Sequence, residues 1–337
     1  MMTQPPRHTS PPGLPAAVPP GSTTTTANHQ ATDQSGQSRG TNTPRSSSPP
    51  ARQPPGRVGV RTRRRLAAAL SDRDHQVLSQ LWQHRYLTTA QLQAFCFTDH
   101  ASPASAARTT RRVLARLARD HLIRALQRRI GGVRAGSEAK VWQLAPAGAR
   151  ILLPDTGHTW RTHEPSERFL SHTLATADCH LTLREGQQRG ITVAVQTEPT
   201  SWRHYTGLGG ETRLIRPDLA AHLTGTDHHG TWDDYWFIEI DMGTESLPSL
   251  LAKCRTYTDY YTSGLEQAQH GSFPRVLWLM HGPRAEHRSA ELTRRIHRTT
   301  RLEPRLFTTA TPDQLDQVLW GEATDTNQPD QGRKDHP

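Results

Sequence analysis

The chain has 337 residues, 33% hydrophobic and 21% charged, with 25 Pro, 24 Gly and a formal net charge of +10. That length suggests about two domains, and a mean hydropathy of −0.73 with no apolar run longer than a strand excludes a membrane-spanning helix, which needs about 20 such residues. Three widely spaced cysteines (Cys96, Cys179, Cys254) exclude a Cys-rich zinc site, and with no apolar h-region at the N-terminus they point to a reducing cytoplasm.

Charge is unevenly placed. Residues 1–65 and 66–150 each sum to +8, and residues 151–337 sum to −6. A cationic first half suggests a polyanionic partner, most simply nucleic acid. The bland alternative is an Arg-biased solvated surface. Lysine is scarce, occurring only at Lys140, Lys253 and Lys334, so a lysine at a chemically sensible position carries more information than usual.

Residues 1–65 are rich in Pro, Ser, Thr and Gly and have too few apolar residues for a core, so they are expected to be a disordered basic tail. Order is expected from Ser71, where Ser71 or Asp72 caps a helix with Val77, Leu78, Leu81 and Trp82 inward. Thr88 or Thr89 caps a second helix, and Ser102-Pro103 starts a third that runs from Ala104 to Asp120. A strand at 122–130, a glycine-rich turn at 131–136, a strand at 140–144 and a short helix at 146–153 follow.

Three helices followed by a basic hairpin resemble a winged helix-turn-helix domain over residues 66–153. The run Leu114-x-x-Leu117-x-x-x-x-Leu122-Ile123 and the segment Trp142-x-Leu144-x-x-x-Gly148 carry that resemblance. A recognition helix presents DNA-reaching side chains on its exposed N-terminal part. Arg108, Thr109, Arg111 and Arg112 occupy that part of the third helix. Arg128, Arg129 and Arg134 lie on or beside the hairpin, where a wing would meet the minor groove or the backbone. The winged-helix resemblance makes double-stranded DNA the expected partner, with phosphate contacts giving affinity and base contacts specificity. The same module also serves as a protein-docking unit, so both uses stay open.

The second half reads as a helix at 164–188, strands at 191–195, 216–223 and 235–241, a helix at 246–262, a strand at 276–280 and a helix at 284–299. A last strand at 305–309 and a helix at 312–320 complete it. This order resembles the PD-(D/E)XK nuclease fold over residues 160–322, leaving 323–337 as a disordered tail. The whole is an α+β chain: a winged helix-turn-helix domain, then a nuclease-like α/β domain with a mixed sheet. Asp218, after Pro217, can meet Glu239 on the next strand, and period-two alternation puts Glu239 and Asp241 on one face. Clustered carboxylates can hold Mg²⁺, which polarises a phosphate and lowers the pKa of a bound water.

The family pattern has a lysine two positions after the strand acid, where this chain has Asp241. Lys253 in the following helix is the candidate replacement, and Glu167 on the first helix is a weaker match to a further acidic ligand. By that resemblance the catalytic set is Asp218, Glu239, Asp241 and Lys253, with Asp218, Glu239 and Asp241 as metal ligands. The structural alternative makes Asp218 a turn residue and Asp241 a helix cap.

Taken together, the chain resembles the replication-relaxation family of plasmids and mobile elements over roughly residues 70–320. The match rests on Leu70-Ser-x-Arg-Asp74, Leu87-Thr-Thr-Ala-Gln-Leu92, Arg216-Pro-Asp218, Glu239-Ile-Asp-x-Gly-Thr-Glu245, and Lys253 with Tyr257. The resemblance implies a role in plasmid replication initiation or plasmid DNA relaxation, with replication or relaxase proteins as partners. Two readings follow: a Mg²⁺-dependent nicking enzyme, or a non-enzymatic transcription or replication regulator with an inactive docking domain. A protein-interaction adaptor that never meets DNA is a third. No two of the 19 histidines lie two residues apart, which argues against a tyrosine relaxase with a His-hydrophobic-His metal site. No Gly-Lys pair occurs, so a Walker A nucleotide site is absent.

Overall fold

A computed structural model describes residues 59–127, 140–153, 160, 162–207, 209–228 and 230–321. These lie within the unit Val58–Pro337. Order begins earlier than the sequence suggests. The arginines at 61–65 belong to a helix, α1 (Val60–Ala69), because they run straight into an alanine-rich, strongly helix-forming stretch.

The first half is built on capping. Helix α2 (Asp72–His84) starts with a capping box in which Ser71 accepts from the Asp74 N–H and Asp74 accepts from the Ser71 N–H. A second capping box, Thr88 with Gln91, starts α3 (Thr89–Cys96). Ser102 and Pro103 start α4 (Pro103–Arg119). Between α2 and α3 the chain forms a short strand, β1 (Tyr86–Thr88). It pairs with β3 (Val141–Leu144), which in turn pairs with β2 (Ile123–Ala125). The result is a three-stranded antiparallel sheet in the order β1-β3-β2, closed by α5 (Pro146–Leu152). Val77, Leu78, Leu81, Leu92, Leu114, Leu117 and Leu144 fill the core beneath it.

Helix α6 (Glu167–Glu185) serves both halves. Its Ala177 enters the first core, while Ala175, Cys179 and Leu183 enter the core of the large sheet. The Gln91 amide donates to Asp178 Oδ1 at 2.6 Å and to the Leu174 carbonyl at 2.9 Å. The His84 and His180 rings are hydrogen-bonded at 3.0 Å.

The large sheet has five strands in the order β10-β9-β8-β7-β4. They are β4 (Thr192–Thr197), β7 (Leu219–Asp227), β8 (Gly230–Asp241), β9 (Arg275–Met280) and β10 (Phe307–Ala310). The β4–β7 and β7–β8 pairs are antiparallel; the β8–β9 and β9–β10 pairs are parallel. The sheet is therefore mixed, as expected. The glycine-rich segment near 206–210 connects an unforeseen hairpin, β5 (Arg203–Thr206) with β6 (Thr212–Ile215).

Trp236 to Asp241 of β8 are buried without interruption, as befits a central strand covered on both faces. Trp236, Ile238 and Ile240 face α6 and α10 (Leu315–Trp320). Phe237 faces α7 (Leu247–Ser263) and α9 (Ala285–Arg298), with α8 (Leu265–His270) following α7. Gly264 closes α7 at φ 71°, a left-handed conformation that glycine adopts without steric cost. Among the described residues no helix is long and apolar enough to cross a membrane.

Candidate functional site

Asp218 lies in the bend just before β7, which begins at Leu219 and not at 216 as expected, and its Oδ2 accepts from the Ile240 N–H of β8 at 2.7 Å. His172 of α6 brings Nε2 to 3.2 Å of the same oxygen. Burial works to lower the His172 pKa, but the Asp218 hydrogen bond and the charges of Asp218, Glu198 and Glu239 outweigh it and hold it above its usual value.

Glu239, on the α7 face of β8, has only 6% of its side chain exposed. Its Oε1 accepts from the Tyr257 hydroxyl at 2.6 Å, and its Oε2 lies 3.5 Å from Lys253 Nζ. Lys253 and Tyr257 are four residues apart on α7, so both fall on the face turned to Glu239. Lys253 also reaches Glu245 Oε1 at 3.3 Å. Burial pushes the Glu239 carboxyl up to about 7, helped by the neighbouring Asp218 charge and opposed by Lys253 and Tyr257. Burial alone would lower the Lys253 pKa, yet Glu239, Glu245 and Asp218 raise it, so the ammonium stays charged.

Asp241 shares the Glu239 face but serves another purpose. Its Oδ2 accepts from Arg288 of α9 at 2.6 and 2.8 Å, and its Oδ1 accepts from the Gly243 N–H at 3.1 Å. Arg288 also donates to the Glu245 carbonyl at 2.9 Å, so the pair fixes the β8–α7 loop. Alternation along the strand gives the face; it does not reveal the arginine that occupies this carboxylate. Glu167 is the exposed first residue of α6, and the α6 side chain that reaches Asp218 is His172. Nothing in sequence spacing marked His172 among 19 histidines.

Two carboxylates with a lysine thus converge. Among the described residues no group of three or more His, Cys, Asp or Glu stands ready to hold a metal ion. Two carboxylates still match what Mg²⁺ asks of a protein, which is one or two such ligands completed by water and substrate phosphate.

On α4, Arg108, Arg111 and Arg112 are exposed and Thr109 is half-buried. Spacings of three and four put the arginines on one face. Arg116 turns inward instead, bonding Asp74 at 2.5 Å and tying α4 to the start of α2. Arg128, Arg129 and Arg134 lie outside the described residues. Against known proteins, residues 78–276 match the model of a family described as replication-relaxation. No curated protein and no solved structure matches the chain.

Proposed function

The chain belongs to the replication-relaxation family, and from that premise we propose a DNA-binding protein of plasmid replication or relaxation whose second half nicks one strand. The α1–β3 segment acts as a winged helix-turn-helix, with α4 as recognition helix. Its helix-strand-helix-helix-strand-strand order from α2 onward and the exposed Arg108, Arg111 and Arg112 support this reading. The five-stranded sheet with α6 and α7 acts as a PD-(D/E)XK-type nuclease.

The observation that carries the proposal is the reach of Lys253 to Glu239 beside Asp218. Asp218 and Glu239 would hold Mg²⁺, which would activate water and offset phosphate charge when bound. Lys253, which stays protonated, stabilises negative charge developing on the phosphate. Tyr257 holds the Glu239 carboxylate in one orientation. Asp241 has no place at the metal, because Arg288 occupies it.

The diversion of Asp241 also favours a second reading, in which the sheet is a retained scaffold and the chain only binds DNA. Asp218→Ala separates the two. The nuclease reading expects unchanged DNA affinity with loss of nicking; the scaffold reading expects no nicking by the unmodified protein either.

A further inference from the structure

Arg85 ends α2 with φ 65° and ψ −47°. This is the γ-turn region, strained for any residue with a Cβ. Among the described residues only Arg85 and His121 depart from glycine at positive φ. His121 follows the end of α4, whereas after α7 the positive φ falls to Gly264, the residue that suits it. The Arg85 side chain is exposed, and it lines a cleft with His172, Thr176, Glu198 and Asp218.

The charges in this cleft are balanced. Asp218 and Glu198 are the acids, and Arg85 and His172 are the bases. Glu198 also accepts from Trp202 Nε1 at 3.2 Å. Burial and the Asp218 charge push the Glu198 carboxyl up, while Arg85 and His172 pull it down. Arg85 acts on Glu198 through its charge and not through a hydrogen bond, so its fork of donors remains available.

We propose that Arg85 binds the DNA backbone phosphate next to Asp218, so that the cleft between the end of α2 and the start of β7 receives the strand to be cut. The proposal rests on the nicking function above and adds the place where the backbone is gripped. Strain kept at a position where glycine would be easier is what a functional demand on the side chain produces.

The test compares Arg85→Gly, Arg85→Lys and Glu198→Gln with the unmodified full chain. The probes are a short duplex of arbitrary sequence, bound in Ca²⁺, and a supercoiled plasmid in Mg²⁺. Arg85→Gly should melt at or above the unmodified protein, because glycine relieves the backbone. It should bind the duplex about tenfold more weakly, the size of one charge-assisted hydrogen bond. Its salt slope should be shallower by about one. Arg85→Lys should recover part of the affinity.

Equal binding and nicking by Arg85→Gly and the unmodified chain would overturn the inference and leave the DNA reading standing. A lower melting temperature for Arg85→Gly, restored together with affinity by adding Glu198→Gln, would also overturn it, since Arg85 would then only balance Glu198. If the unmodified chain neither binds nor nicks, the DNA reading fails and takes this inference with it.

Discussion

Lys253 of α7 places its Nζ 3.5 Å from Glu239 Oε2, although 14 positions separate the two residues in the chain. The β8–α7 loop makes this meeting possible, and Arg288 fixes that loop by gripping both Asp241 and the Glu245 carbonyl. The lysine absent from the strand is thus supplied by the next helix. Lys253→Met should lower nicking by about 10²–10³-fold, the usual loss for one charge-stabilising donor, with DNA affinity within twofold of the parent. Nicking at the parental rate would remove the lysine from the reaction.

Asp241 and Arg288 form a buried pair, with 1% and 14% of their side chains exposed. Removing one partner strands a charge, so Asp241→Ala should cost about 3 kcal/mol in urea unfolding. Asp241→Ala/Arg288→Met should recover part of that loss. A metal ligand would behave differently: Asp241→Asn would abolish Mg²⁺-dependent stabilisation. Here the expected Mg²⁺ response of Asp241→Asn is the parental one.

Glu239 makes stability fall as pH rises in metal-free protein. Its folded carboxyl is raised to about 7 by burial and the Asp218 charge, above its unfolded value. Below the unfolded pKa both states are protonated and nothing is lost. Between that value and about 7 the unfolded chain ionises first, and stability drops by on the order of 3 kcal/mol at most. Glu239→Gln should therefore be the more stable protein at pH 8 and equal to the parent below the unfolded carboxyl value, near about pH 4. Parallel melting curves across that range would contradict the shift.

The His84–His180 pair works in the opposite direction. Burial lowers the two pKa values to about 4 and about 3, below the unfolded histidine value. The contribution is complete above about pH 6.5, where both states are neutral, and is lost as pH falls toward the folded values. Because the pair joins α2 to α6, acid should loosen that junction first. His84→Leu/His180→Leu should flatten the stability profile between pH 6.5 and 4, measured by urea midpoints.

Arg111→Ala and Arg112→Ala should each weaken duplex binding and reduce the salt slope by about one. Arg116→Ala should leave the slope alone and lower stability instead, since Asp74 is 1% exposed and loses the cation that balances it, keeping only Ser71. A slope change at Arg116 equal to that at Arg111 would contradict this division of the helix.

Local signals in the sequence carry most of this architecture. Ser71, Thr88, Ser102 and Ser246 mark helix starts through short-range hydrogen bonds that neighbouring residues determine. The run Tyr235–Ile238 announces a buried strand by being apolar at four successive positions, and Asp218 opposite Glu239 follows from continuing the pairing of the two strands by one step. What stays hidden is long-range. Arg288 lies 47 residues beyond Asp241 and His172 lies 46 before Asp218, and no spacing rule links either pair. The β5–β6 hairpin was obscured because its strands are only four residues each.

Strand breakage tests the central claim most directly. Supercoiled plasmid is incubated with the purified chain in Mg²⁺ or EDTA, beside an Asp218→Ala/Glu239→Ala variant shown by circular dichroism to be folded. The expected result is open circles from the unmodified chain in Mg²⁺ alone, and none from the variant. A gel shift without any break, identical in both proteins, would contradict the nuclease and leave a DNA-binding protein built on its scaffold.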